Sequence, residues 1–249
     1  MKPRYEFKYL IPLEKSLEFL QATKDTLKAD PEYPDGYRVN SIYFDTDDFQ
    51  FYFDKLDGTD PRYKIRVRWY GELEPKDLYV EAKHRLDQLV YKDRVRLEPS
   101  MRKDFYEYRT FQSNLLQHCS PDEQLKADIL QRILQRDALT SRCLVRYFRQ
   151  VYLCRLHPTL RVTIDTDIRA LGISQEEKAI EGGGQLFCPS SLCVLEIKFH
   201  YAMPLWLADL CRHLKLGLRR YSKYCSAVEA LYPDIAQREV RMQSPSFKK

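Results

Sequence analysis

The sequence predicts an α+β protein in which an antiparallel sheet of about eight strands closes into a barrel, with helices packed against its outside. Three observations carry this expectation. Apolar and charged residues alternate with period 2 in segment after segment, the pattern of strands with one buried and one polar face. Short turn-forming separators such as Asp57-Gly58 and Asp60-Pro61 divide these segments, as antiparallel hairpins require. Apolar stripes of period 3.6 occur between and after the strands, which supplies helices to cover the apolar strand faces.

In chain order, the first strand is expected over Arg4 to Leu10, where Arg4, Glu6 and Lys8 share a face. Ile11-Pro12 then opens a helix with Leu13, Leu17 and Leu20 on one stripe, expected to end near Ala29. Turns at Asp30-Pro31 and Pro34-Asp35-Gly36 lead into a strand from Tyr37 to Phe44, stopped by Asp45-Thr46-Asp47-Asp48. Lys64-Ile65-Arg66-Val67-Arg68-Trp69 is the clearest strand, with three cations on one face and apolar groups on the other. The loop Gly71 to Asp77 separates it from Leu78 to Lys83, where Tyr79, Glu81 and Lys83 share a face. In the next strand Lys92, Arg94 and Arg96 oppose Tyr91, Val95 and Leu97.

From Asp104 to Arg136 the period becomes 3.6, with Phe105, Tyr108, Phe111 and Leu115 on one stripe and Leu125, Ile129 and Ile133 on another, in an insertion whose other faces are polar. Strands resume at Leu144 to Leu153 and Thr159 to Ile168. Glu181-Gly182-Gly183-Gly184 reads as a flexible turn before a strand from Cys193 to Phe199. Helices are expected at about Pro204 to Leu216 and Ser222 to Leu231. A single domain is expected over residues 1–235, followed by a disordered polar tail at 236–249.

With 249 residues, 44% of them hydrophobic, the chain can bury a substantial core. Its 41 Lys+Arg against 36 Asp+Glu leave a net charge of +5, too small for a protein that coats nucleic acid, so a basic site must be a local concentration. No apolar run reaches the roughly 18 residues of a membrane span, and Pro3, Arg4 and Glu6 interrupt the start where a signal peptide needs its apolar region. A soluble, unprocessed cytoplasmic protein is expected. The seven cysteines form no regular framework and read as reduced thiols. Cys188 and Cys193 with His200 lack the second paired-Cys motif of a zinc site, and His84, His157, His200 and His213 show no ligand or nucleophile spacing.

If helices cover the outside of a closed sheet, the charged strand faces point inward. Burying an unpaired cation costs several kcal/mol, so such a lumen must be wet or filled with anions. Phosphate chains suit it, because Arg presents a planar fork to phosphate oxygens and Lys a point charge. Glu6, Glu81 and Glu196 would repel phosphate unless paired or holding a divalent cation such as Mg²⁺ or Mn²⁺. Glu196 is the strongest candidate for that cation.

The blocks Arg4-Tyr5-Glu6-Phe7-Lys8-Tyr9, Ser41-Ile42-Tyr43-Phe44-Asp45-Thr46, Lys64-Ile65-Arg66-Val67-Arg68-Trp69-Tyr70, Glu81-Ala82-Lys83, Arg161-Val162-Thr163-Ile164-Asp165, Leu195-Glu196-Ile197-Lys198 and Tyr221-Ser222-Lys223-Tyr224 resemble the vacuolar transporter chaperone (VTC) domain of the triphosphate tunnel metalloenzyme superfamily. The resemblance implies an eight-stranded antiparallel tunnel and, in catalytic members, transfer of the ATP γ-phosphoryl group to a growing polyphosphate chain. It implies catalytic roles for Arg66, Arg68, Lys83, Arg161 and Lys223, and phosphate-binding roles for Lys8, Tyr147, Arg149, Lys198 and Ser222. Glu196 matches the family's metal-binding glutamate. Lys92 and Arg94 lie where a further tunnel lysine belongs, with the register between them open. Hydrolytic tunnel enzymes carry Glu-x-Glu-x-Lys on the first strand; here the first position is Arg4, which favours the VTC branch and makes rapid hydrolysis less expected.

The expected activity is therefore a Mn²⁺- or Mg²⁺-dependent polyphosphate polymerase acting on ATP and inorganic polyphosphate, with a membrane protein as a candidate partner. Phosphoryl transfer needs alignment and charge neutralisation more than covalent help, and a cation-lined tunnel supplies both. A polyphosphate chain end is already ionised and needs no general base. A triphosphatase using water, or a noncatalytic polyphosphate binder, would use the same faces. Nucleic acid is disfavoured as a partner, because the 18 Tyr and 12 Phe fall mostly on apolar strand faces.

Overall fold

The computed structural model describes residues 4–60, 62–71, 77–86, 89–97, 105, 120–136, 138–173, 184–219 and 221–237. The strands are β1 (Arg4–Pro12), β2 (Leu27–Ala29), β3 (Tyr37–Asp45), β4 (Arg62–Tyr70), β5 (Leu78–Leu86), β6 (Leu89–Leu97), β7 (Thr140–Cys154), β8 (Arg161–Gly172), β9 (Gln185–Leu186) and β10 (Leu192–His200). The helices are α1 (Leu13–Thr23), α2 (Gln50–Asp57), α3 (Pro121–Arg136), α4 (Leu205–His213) and α5 (Lys223–Leu231). All ten strands belong to one sheet. Its main path has the order β1-β10-β8-β7-β3-β4-β5-β6, with β2 beside β7 and β9 beside β8. The pairs β1/β10, β10/β8, β4/β5 and β5/β6 are antiparallel, so the mixed α+β class with an antiparallel sheet agrees with the expectation, whereas among the described residues the path is open, with no pairing between β1 and β6 to close a barrel.

The chain divides into two compact units. The first comprises Met1–Val39, Arg146–Arg169 and Leu186–Ser222, and the second Asn40–Val145, Ala170–Gln185 and Lys223–Lys249. Each has its own apolar core, built by the period-2 rule. In the first unit Tyr9 and Ile11 of β1, Leu195, Ile197 and Phe199 of β10, and Val162 and Ile164 of β8 pack with Phe19 of α1 and Leu207 and Cys211 of α4. In the second, Ile65, Val67 and Trp69 of β4, Leu78, Val80 and Ala82 of β5, and Val95 and Leu97 of β6 pack with Ala127, Leu130 and Leu134 of α3. On every one of these strands the alternate residues therefore leave the core by the opposite face.

Helix boundaries and faces differ from the sequence reading in instructive ways. α1 ends at Thr23 rather than near Ala29: the Thr23 hydroxyl donates back to the Phe19 carbonyl at 2.8 Å, the Thr26 N–H closes a turn onto Thr23, and Leu27 enters β2 beside Cys154. The core takes Ser16, Phe19 and Thr23 of α1, while Leu17 of the expected stripe is 60% exposed. In α3, Leu125 and Ile129 are exposed and Ala127, Leu130, Ile133 and Leu134 are buried. Two apolar stripes compete on this helix, and packing selects the denser one. Phe105 and α3 are thus part of the second core. α4 stops at His213 because Lys215, at φ 53°, turns the chain back so that the Leu216 N–H reaches the Cys211 carbonyl at 2.9 Å.

α2 has no counterpart in the sequence reading. The cluster Asp45-Thr46-Asp47-Asp48 does stop β3, but Asp45 also starts the helix. Fully buried, it accepts the N–H groups of Thr46 (2.8 Å), Phe51 (2.8 Å) and Tyr52 (3.0 Å) and the hydroxyl of Tyr224. Gly58, at φ 76°, closes α2 by donating to Asp54, so Asp57-Gly58 is a helix cap. Asp45→Ala strands these donors and is expected to cost about 3 kcal/mol, a cap plus a buried hydrogen bond, in chemical denaturation. A cost under about 1 kcal/mol would show that α2 does not depend on this carboxylate.

Six cysteines, Cys143, Cys154, Cys188, Cys193, Cys211 and Cys225, are buried free thiols. The expected positions Tyr108, Phe111, Leu115 and 181–183 lie outside the described residues, as does the tail beyond 237; residues 233–237 are helical.

Candidate functional site

In the second unit the polar faces of β4, β5 and β6 assemble into three rungs. Strand register sets Lys64 opposite Lys83 and Lys83 opposite Lys92; Arg66 opposite Glu81 and Glu81 opposite Arg94; Arg68 opposite Tyr79 and Tyr79 opposite Arg96. The three rungs thus carry seven basic residues and one carboxylate, Glu81, while Asp77, just ahead of β5, pairs with Arg96 at 2.7 Å. Glu81 is 2% exposed and receives Arg66 at 2.7 Å, Lys92 at 2.9 Å, Arg94 at 3.4 Å and Arg68 at 3.9 Å. Burial alone would raise its pKa, but Arg66, Arg68 and Lys92 hold it well below the usual carboxylate range. Like charges directly opposite one another destabilise a sheet, and Lys92 of the lysine rung is compensated by Glu81 at 2.9 Å.

β3 and α5 complete this face. Arg68 donates through Nε to Ser41 Oγ at 3.1 Å, and Arg66 through Nη1 to the Tyr43 hydroxyl at 3.1 Å. The Tyr43 ring stacks on Tyr224 of α5 (centroids 5.1 Å apart, planes 28° apart), and the Lys64 ammonium lies 6.0 Å from the centroid of the Tyr224 ring. The Tyr224 hydroxyl donates to Asp45, so the same carboxylate that caps α2 anchors the ring against which Tyr43 packs. Lys223 is the first residue of α5.

In the first unit the polar faces of β1, β10 and β8 carry a more balanced set of charges. Glu6 stands opposite Lys198 and Lys198 opposite Arg161; Lys8 stands opposite Glu196 and Glu196 opposite Thr163. Lys8 pairs with Glu6 at 2.7 Å and Lys198 with Glu196 at 2.9 Å. From β7, Arg149 forks onto the fully buried Asp165 (Nε 2.6 Å, Nη2 2.7 Å) and reaches Glu196 at 3.5 Å, with Tyr147 beneath its guanidinium. Arg161 donates to the Tyr37 hydroxyl at 3.5 Å.

Glu196 is 3% exposed, and burial would raise its pKa. Lys198, Lys8, a hydrogen bond with the Glu6 carboxyl, and Arg149 bring it well below the carboxylate range instead. Burial lowers the pKa of Lys198, and Glu196 offsets this only in part. Arg149 is also penalised by burial, yet Asp165, Tyr147 and Glu196 keep it firmly charged. A Glu196 so stabilised as an anion is a weak base. Its charge is met by the Lys198 ammonium and the Arg149 guanidinium.

The sequence-derived candidates therefore fall into two groups. Arg66, Arg68, Lys83, Lys92 and Arg94 share the β4–β6 face, and both Lys92 and Arg94 reach Glu81, so the register left open between them does not force a choice. Lys8, Tyr147, Arg149, Arg161, Lys198 and Glu196 belong to the first unit, together with Ser222, which is 8% exposed. Parity places Lys64 on the face of Arg66 and Arg68, at its mouth and outside the family motif, whereas Tyr43 and Thr163 are not among the sequence-derived candidates. Lys64 shows the same parity as Arg66, but only the register reveals a rung. Tyr43 sits in an apolar-looking run. The Thr163 hydroxyl, 1% exposed, has no hydrogen-bond partner among the described residues and lies on the rung of Glu196. Among the described residues no cluster of three or more His, Cys, Asp and Glu side chains is placed to hold a metal ion, and no helix is long and apolar enough to cross a membrane.

The sequence profile of the VTC domain matches residues 3–232. This chain belongs to the VTC domain family. Among curated proteins, this VTC domain is 26% identical over 236 residues to vacuolar transporter chaperone complex subunit 4 of Trypanosoma brucei brucei, covering 79% of the chain and 29% of that protein. It is 42% identical over 50 residues to the subunit of the same name in Schizosaccharomyces pombe, covering 20% of the chain and 7% of that protein. The VTC domain thus spans less than a third of the length of these relatives. Among solved structures, a candidate adenylate cyclase from Bacillus halodurans matches with a TM-score of 0.49 at 13% identity, over 93% of this chain and 98% of that one. Another from Vibrio parahaemolyticus matches with 0.44 at 11% identity, over 95% and 98%.

Proposed function

We propose that this VTC domain is a polyphosphate polymerase that transfers the γ-phosphoryl group of ATP to the end of an inorganic polyphosphate chain, and that the eight-strand path closes into the tunnel this chemistry uses. The observation that supports it most directly is the β4–β6 face, where three rungs carry seven cations and one carboxylate, on which four of the cations converge. Successive rungs lie two residues apart, roughly 7 Å along the strand, a spacing suited to a linear polyanion rather than a single phosphate. Arg66, Arg68 and Lys83 hold the nucleotide phosphates there. Arg161 and Lys223 neutralise charge on the transferred group, and Lys8, Arg149, Lys198, Tyr147 and Ser222 position the acceptor, with Lys92 and Arg94 flanking Glu81.

Glu196, with Glu6 beside it, would hold a divalent cation, since Mg²⁺ or Mn²⁺ binds through one or two carboxylates plus substrate phosphate oxygens; the ion would take the place of the Lys198 and Lys8 ammonium groups now paired to them. Bound there, the ion would neutralise phosphate charge in the transition state. Glu196, a weak base, is ill suited to activating water. An ionised chain end needs no such activation, and this favours transfer over hydrolysis. The relatives are named as subunits of a vacuolar transporter chaperone complex, which supports a partner within such a complex; cytoplasmic residence and a membrane-protein partner are part of the same proposal.

Incubating the protein with ATP, with and without Mn²⁺, and resolving the products on a gel tests the proposal. Long phosphate chains are expected from the wild type, with Arg66→Ala making them about 10²-fold more slowly or worse. Orthophosphate without chain growth would move the assignment to a triphosphatase. Binding without turnover would leave a noncatalytic polyphosphate binder.

A further inference from the structure

We propose that Tyr43 is a positioning residue of the β4–β6 anion face: its hydroxyl fixes the plane of the Arg66 guanidinium and takes up a proton when a phosphate chain binds in mildly alkaline solution. The inference rests on the reading of that face as a phosphate site and assigns a residue beyond its basic groups.

Geometry carries it. Arg66 is gripped from two directions, through Nε and Nη2 by Glu81 at 2.9 and 2.7 Å and through Nη1 by the Tyr43 hydroxyl at 3.1 Å. Both bonds to Glu81 end on one carboxylate oxygen, Oε2, and the Tyr43 hydroxyl supplies a further fixed point at Nη1, the nitrogen Glu81 does not bond. Its ring is itself held, 4% exposed and stacked on Tyr224, whose hydroxyl is committed to Asp45. A side chain this constrained transmits position to whatever it bonds.

The charges around Tyr43 explain the proton. From β4 it faces Arg66, Arg68 and Lys64; beyond Arg66 lie Glu81 of β5 and Lys92 of β6. From α5 it faces Tyr224, with Lys223 preceding it, and on β3 itself Asp45 lies two residues on, paired to Tyr224. Burial would raise the phenol's pKa, but Arg66, Arg68 and Lys64 lower it to about 8. A bound polyanion adds opposing negative charge and pushes the phenol back to its neutral form. Binding at pH 8 therefore draws a proton from solvent, up to about half a proton per site, and binding about two pH units lower draws none at Tyr43. The phenolate adds one negative charge to the face, so affinity falls on the alkaline side.

Two measurements on wild type and Tyr43→Phe test this. Without ligand, the ultraviolet difference spectrum of the wild type should show a tyrosinate step centred near pH 8 that the variant lacks. Calorimetry with tripolyphosphate in buffers of different ionisation enthalpy should show proton uptake at pH 8 in the wild type and less in the variant. The variant should also bind about fivefold more weakly at neutral pH, the loss of one hydrogen bond. A step that survives Tyr43→Phe, or unchanged proton uptake and affinity in the variant, overturns the proposal while leaving the phosphate site intact. A wild type that binds no tripolyphosphate overturns the functional reading and this inference with it.

Discussion

Arg149→Met is expected to cost about 3–5 kcal/mol in urea denaturation at neutral pH, the largest single-residue loss in the first unit. Asp165 is fully buried and both of its oxygens are bonded by Arg149, so removing the guanidinium takes two charge-assisted hydrogen bonds from a buried carboxylate. Glu196 loses a contact at 3.5 Å at the same time. The double variant Arg149→Met/Asp165→Leu is expected to regain most of the stability, because a buried ion pair can be exchanged for packed apolar groups at little net cost. It is not expected to regain phosphoryl transfer, since Arg149 is proposed to touch the acceptor. If the single variant lost less than about 1 kcal/mol, the Arg149–Asp165 fork would not be holding this part of the sheet.

Glu81→Gln is expected to show the second large effect, with a pH dependence that identifies its cause. Four cations converge on this buried carboxylate, and the amide removes their shared counter-charge for a loss of about 3 kcal/mol at neutral pH. The pKa of Glu81 is lowered in the folded protein from an ordinary value of 4.5. Its contribution to stability is therefore complete above pH 4.5 and fades as pH falls towards the folded value. Wild type and variant should differ most above that pH, and the gap should narrow in acid. Tripolyphosphate should raise the melting temperature of the variant more than that of the wild type, because it supplies the missing negative charge. A gap that stays constant down to pH 2–3 would show the loss to be one of packing rather than charge.

Much of the fold was legible because its strands obey a two-residue period that any register preserves. Ile65, Val67 and Trp69 could only share a face, and Arg66 and Arg68 had to take the other. The helices were less legible. α2 is short and owes its existence to Asp45, a residue far more often read as a turn signal than as a buried cap. α3 offered two apolar stripes, and the choice of Leu130 and Leu134 over Leu125 and Ile129 was made by the sheet it covers. At the site, the identity of the basic residues could be read from parity and from the VTC resemblance. Their partners could not, because Glu81 gathers Arg66, Arg68, Lys92 and Arg94 from two other strands.

By itself, then, the sequence determined which residues are apolar-facing and which are polar-facing on each strand, since side-chain direction alternates with the backbone pleat and needs no tertiary contact. From that followed the α+β class, the antiparallel strands and the concentration of cations on one face. Only the tertiary structure decided which cations stand on a common rung, that a single buried glutamate organises four of them, and that Tyr43 braces Arg66. Those outcomes depend on the register between strands distant in sequence. A one-residue slip would leave every composition and period unchanged while turning each charged group to the opposite side of the sheet.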